Sequence, residues 1–78
     1  MANRRMFSLD VIDTDAFLDM PAAARLLYYD LGMRADASGV VRSPNAILRM
    51  TGADACSLEL LISKGFAQRT ADGVSVRR

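Results

Sequence analysis

The stretch SPNAILRMTGADACSLELLISKG, residues 43–65, leaves its backbone few choices. Ser43 is a helix cap, and Pro44 suits a first helical position because its missing N–H has no partner there anyway. The helix that follows is expected to reach about Met50 or Thr51, with Ile47 and Met50 facing inward. Thr51-Gly52-Ala53 is a tight break. Asp54 then caps a further helix that runs to Lys64, with Leu58, Leu61 and Ile62 as its apolar stripe. Gly65 closes it, since glycine accepts the left-handed conformation of a helix end. Two short helices joined by a glycine-containing turn read as a helix-turn-helix.

The flanking segments extend that reading. A helix is expected over residues 21–34, with Pro21 as its first residue. Ala24, Leu27, Tyr28, Leu31 and Ala35 form one apolar stripe, and Leu26, Tyr29 and Met33 form a second on the opposite side. Arg25, Asp30 and Arg34 lie between them. Something should therefore cover each face. Asp36-Ala37-Ser38-Gly39 is a turn, with Asp first and Gly fourth, and Val40 and Val41 make a minimal strand. FAQRT and VSVRR are strand-like runs joined by Ala71-Asp72-Gly73, whose Asp-Gly is a hairpin signal. The small strand can pair with the hairpin. The fold class expected is mainly α with a small antiparallel β-sheet, an α+β winged helix-turn-helix.

The opening block, RRMFSLDVIDTDAFLDMP, is folded rather than a tail in this reading. Phe7, Leu9 and Val11 alternate with Ser8 and Asp10, which predicts a short strand. Asp13 is expected to cap a helical turn from Thr14 to Leu18. Phe7, Leu9, Val11, Phe17 and Leu18 are predicted to cover the second face of the helix, Leu26, Tyr29 and Met33, in the same chain or across a dimer. These residues form the expected arm and assembly surface. The 78 residues make a single domain, with an arm over 1–19, a helical core over 21–65 and a wing hairpin over 66–78.

Composition removes several function classes. Cys56 is the one cysteine and there is no histidine, which excludes an internal disulfide and argues against a structural zinc site. No apolar run approaches the length of a membrane span, and Asp10, Asp13 and Asp15 interrupt anything like a signal-peptide core. A cytoplasmic protein without cofactor, metal, membrane or small-molecule substrate is expected. No positioned nucleophile or base stands out, and the aspartates lack the spacing of a calcium loop, so no enzymatic role is assigned. With a net charge of only +1, nucleic-acid binding would have to come from charge placement.

The blocks RRMFSLDVIDTDAFLDMP, LYYDLGMRADASGVV and LELLISKGF resemble the N-terminal domain of replisome organiser proteins from phages and prophages of Gram-positive bacteria, a family related to the DnaD-like primosome proteins. The resemblance covers nearly the whole chain. It implies a winged-helix domain that binds DNA or self-associates at a replication origin and helps bring in the helicase-loading machinery. Family members usually continue past the wing into a further region.

Such a domain normally presents its last helix to the major groove. Here the outward residues of that helix are Cys56, Glu59, Leu60 and Ser63, and none is an Arg, Lys, Asn or Gln able to read a base edge. The candidate cations lie around it: Arg42, Arg49, Lys64, Arg69, Arg77 and Arg78, with Arg4 and Arg5 in the arm. Contacts of that kind hold phosphates without reading sequence. The expectation is double-stranded DNA with low intrinsic specificity, self-association, and a replication-initiation or helicase-loading partner. Two alternatives stand beside it: a protein–protein or oligomerisation module without DNA contact, and a transcriptional regulator.

Overall fold

The computed structural model describes residues 6–77. Arg4, Arg5 and Arg78 lie outside the described residues. Two helical turns, α1 (Leu9–Ile12) and α2 (Asp15–Leu18), precede the long helix α3 (Ala22–Arg34). Strand β1 (Val40–Val41), helices α4 (Pro44–Thr51) and α5 (Ala55–Ser63), and strands β2 (Ala67–Thr70) and β3 (Gly73–Val76) follow. The described residues thus form a small α+β fold of five helices and one three-stranded antiparallel sheet, ordered β1-β3-β2.

The opening block departs from expectation. Residues 7–11 form no strand: the Ser8 hydroxyl accepts the Asp10 amide at 3.1 Å and starts α1. A window this short satisfies both periods, and Phe7 and Val11 are also one helical turn apart. Nor does Asp13 cap the second turn. Thr14 does, accepting the Phe17 amide at 3.2 Å while donating to the Val11 carbonyl at 2.8 Å. A hydroxyl can donate and accept at once and so ties α2 to α1; an ionised carboxylate can only accept. Pro21 is the N-cap of α3 rather than its first residue, so the helix starts at Ala22, one residue later than expected.

The stripe Ala24, Leu27, Tyr28, Leu31 and Ala35 is buried. Val11, Phe17 and Met20 are buried with it, together with Val41, Ile47, Leu58, Leu61, Phe66, Val74 and Val76. The arm therefore supplies core and is not merely a cover. Phe17 meets Tyr28 and Phe66 edge-on, with centroids 5.1 and 5.4 Å apart. That geometry sets a ring's positive edge against its neighbour's negative face. The Tyr28 hydroxyl, buried beneath, donates to the Arg77 carbonyl at 2.6 Å and ties α3 to the end of the sheet.

The second face of α3 is covered only in part. Phe7 and Phe17 pack on Tyr29 at 5.2 and 5.9 Å. Leu26 and Met33 remain 62% and 45% exposed, and Leu9 and Leu18 turn outward instead of covering them. The cause is the helical arm: α1 buries Val11 and α2 buries Phe17, which leaves Leu9 and Leu18 on the far sides of those turns.

The central pair of helices has the expected bounds, but of the two expected side-chain caps only Asp54 acts: Ser43 stands at the N-cap of α4 without a side-chain cap hydrogen bond. Asp54 accepts the Ser57 amide at 2.8 Å, and Gly52 takes a left-handed φ of 74° to turn the chain. Met50, expected inside, is 65% exposed. Ile47 is buried, and one turn on from it the Thr51 hydroxyl donates to the Ile47 carbonyl at 2.8 Å. At the other end of α5 the Gly65 amide reaches Ile62 O at 3.1 Å and the Phe66 amide reaches Leu61 O at 2.9 Å. This paired ending satisfies two terminal carbonyls and throws Phe66 into the core.

The hairpin turns on Ala71 and Asp72, because Gly73 already pairs with Thr70. A Cβ at Gly73 would collide with the Val41 carbonyl, so β1 can lie this close only against glycine. Ala67 pairs with Val76 and Arg69 with Val74, which sets these residues on the core-facing side. Gln68, Ser75 and Val40 share the outer side. Among the described residues no helix is long and apolar enough to cross a membrane.

Candidate nucleic-acid interface

The exposed side of α5 carries Cys56, Glu59 and Ser63. Leu60 belongs there only in part. It packs against the core and helps wall a groove of ≈ 400 Å³ with Ala16, Asp19, Met20, Pro21 and Lys64. The Ser63 hydroxyl donates back to the Leu60 carbonyl at 3.0 Å. At the start of the helix, the Ser57 backbone amide and then its side chain hold the Asp54 carboxyl below its ordinary pKa. That N-terminus is therefore already occupied by a negative charge, and a phosphate there would meet repulsion.

The candidate cations fall into two groups. Arg42 is shared between Asp36 at 3.6 Å and Asp72 at 3.9 Å. Arg69 reaches from β2 to Glu59 on α5 and forms an ion pair there. Its core-facing register explains the reach, since that side of the sheet looks toward the helices. Arg49, Lys64 and Arg77 make up the second group: all three are exposed and form no ion pair among the described residues. They stand on α4, at the C-cap of α5 and just past β3 respectively.

Sequence reasoning passed over the acidic partners. The sequence marks Asp36 only as a turn residue, and its Oδ1 does accept the Ser38 and Val40 amides at 2.8 and 3.1 Å. Its other oxygen faces Arg42. Exposed neutral donors were passed over too: Ser43, whose side chain makes no cap hydrogen bond, and Asn45, Gln68 and Thr70. Only the strand register places Gln68 beside Ser75, and no period in the chain signals it.

Arg49, Lys64 and Arg77 can each hold a phosphate as an exposed point charge. No bidentate base reader stands on α5. Among the described residues no group of three or more His, Cys, Asp or Glu could hold a metal ion. Cys56 is exposed, with no second cysteine in the chain. Comparison with family models, curated proteins and solved structures finds no match for this chain, so the surface is read from its own chemistry.

Proposed function

We propose that the chain is a winged helix-turn-helix domain that docks on double-stranded DNA through phosphate contacts and self-associates, as the DNA-binding and assembly module of a replisome organiser. The observation that carries the docking is that Arg49 on α4, Lys64 at the C-cap of α5 and Arg77 just past β3 are exposed and without carboxylate partners among the described residues. The order α3, β1, α4, α5, β2, β3, with β3 central in the sheet, supports the winged-helix reading. The replication setting rests on the resemblance in the arm and in the segment around Gly32, with a replication-initiation or helicase-loading protein as the partner it implies.

The mechanism is electrostatic. Each phosphate neutralised by Lys or Arg releases condensed counterions, so affinity falls as salt rises. The exposed α5 residues contribute shape more than base discrimination. A transcriptional regulator would need base readers that Cys56, Glu59 and Ser63 do not provide.

A second reading has its own support. Arg42 and Arg69 are already neutralised by carboxylates, while Leu9, Leu18, Leu26 and Met33 are exposed. Those features suit a protein–protein module without DNA contact. A salt titration of binding to a labelled duplex separates the two. Three phosphate contacts give a log–log slope of about −2.7. Arg49→Glu and Lys64→Glu should each weaken binding to all duplex sequences alike. Absence of binding at low salt would leave the protein–protein reading standing.

A further inference from the structure

Two of the cations best placed beside α5 and the hairpin are held by the protein's own carboxylates. For Arg69 the holder is Glu59, and the pair bridges α5 and β2 at the surface, with side chains 60% and 56% exposed. We infer that Glu59 is an electrostatic gate on Arg69: it occupies the guanidinium in the free protein and limits affinity for a polyanion. The inference rests on the DNA-docking reading.

Three observations lead there. Glu59 lies on the exposed side of α5 between Cys56 and Ser63, where its charge faces whatever approaches the helix. Arg69 is its ion-pair partner, and nothing buries the pair. An exposed pair is weak, so removing its carboxylate is enough to release the guanidinium. In the unchanged protein a phosphate approaching Arg69 meets the Glu59 carboxylate as an opposing charge, which keeps that contact from forming. Arg42 is held in a comparable way by Asp36 and Asp72, but Asp36 also accepts two backbone amides and so serves the turn. Glu59 makes no such backbone bond among the described residues, and its removal should leave the fold intact.

The test compares the unchanged protein, Glu59→Gln, Glu59→Gln with Arg69→Gln, and Asp10→Asn. The last removes the same charge from α1, where Asp10 is exposed and makes no ion pair among the described residues. Fluorescence anisotropy with a short labelled duplex is read across a salt series, and thermal melts confirm folding. Glu59→Gln should bind about two- to fivefold tighter at low salt, the equivalent of one exposed ion pair released. Its log–log salt slope should steepen by about 0.9, the signature of one more phosphate neutralised. The double variant should lose both effects, and Asp10→Asn should show neither. Should the unchanged protein bind and Glu59→Gln match it, the gate is wrong and DNA docking stands. Tighter binding that survives loss of Arg69, or that Asp10→Asn reproduces, also overturns the gate, because net charge alone would then explain it. If no variant binds at low salt, the gate and the docking reading fall together.

Discussion

Phe7 rests against the one place on α3 where no Cβ stands. A Cβ built on Gly32 would lie 2.5 Å from Phe7 Cε1, so glycine is kept there for space. Two effects oppose each other at this position. Alanine in a helix is favoured by about 1 kcal/mol over glycine, whereas overpacking costs about 1–3 kcal/mol. Gly32→Ala should therefore lower the melting temperature by a few degrees, with Phe7 displaced from Tyr29. In a Phe7→Ala background the clash is gone and the same substitution should raise it. Thermal melts of the four proteins decide the matter; an equal effect of Gly32→Ala in both backgrounds would show that Phe7 and Gly32 do not interact. At this scale little was legible in advance. Nothing in the order of residues brings position 7 against position 32, and nothing pairs Glu59 with Arg69 before the hairpin folds.

At the scale of elements, the arm is the instructive case. Phe7, Leu9, Val11, Phe17 and Leu18 are expected on the second face of α3, yet Val11 and Phe17 lie in the common core, where Phe17 also meets Tyr29. Phe17 alone touches Tyr28, Tyr29 and Phe66. Truncating a buried phenylalanine costs about 3–5 kcal/mol, and a domain of this size has only about 5–15 kcal/mol in total. Deleting residues 1–19 should accordingly abolish the cooperative melting transition rather than shift it slightly. A truncated chain with an unchanged melting temperature would refute the arm's place in the core. The elements with strong local signals formed as read in their bounds: α4 ends at Gly52, α5 runs from its Asp54 cap to Gly65, and the hairpin forms, though Ser43 makes no side-chain cap hydrogen bond and the loop is Ala71-Asp72. Those signals act through hydrogen bonds and φ preferences within a few residues, so no distant partner is required. The arm has no such signal over residues 7–11. A period-two pattern there could become a strand only beside a free sheet edge, and the Ser8 cap made a helical turn instead.

Over the whole molecule, the apolar residues that find no cover bear on assembly. Leu9 and Leu18 from the arm and Leu26 and Met33 from α3 are all exposed. Under the self-association proposed above, light scattering should give a mass above that of the monomer as concentration rises. Leu26→Glu combined with Met33→Glu should return the chain to a monomer without lowering its melting temperature, since neither side chain is in the core. A monomer at every concentration would remove self-association from the proposal and leave DNA docking by single copies.

By itself, the amino-acid order determined the element sequence from Pro21 onward, the buried stripe of α3, and the turn chemistry at Gly52 and Gly65. It also determined that no base-reading side chain stands on α5. These are consequences of caps, periodicity and composition, all of them local. The tertiary structure alone decided which side of the arm was buried, and that Arg69 would spend its charge on Glu59 and Arg42 on Asp36 and Asp72. Arg49, Lys64 and Arg77 were left without ion pairs among the described residues by the same packing. Ion pairs and aromatic contacts join residues far apart in the chain, so they exist only after the sheet register and the helix crossings have placed them.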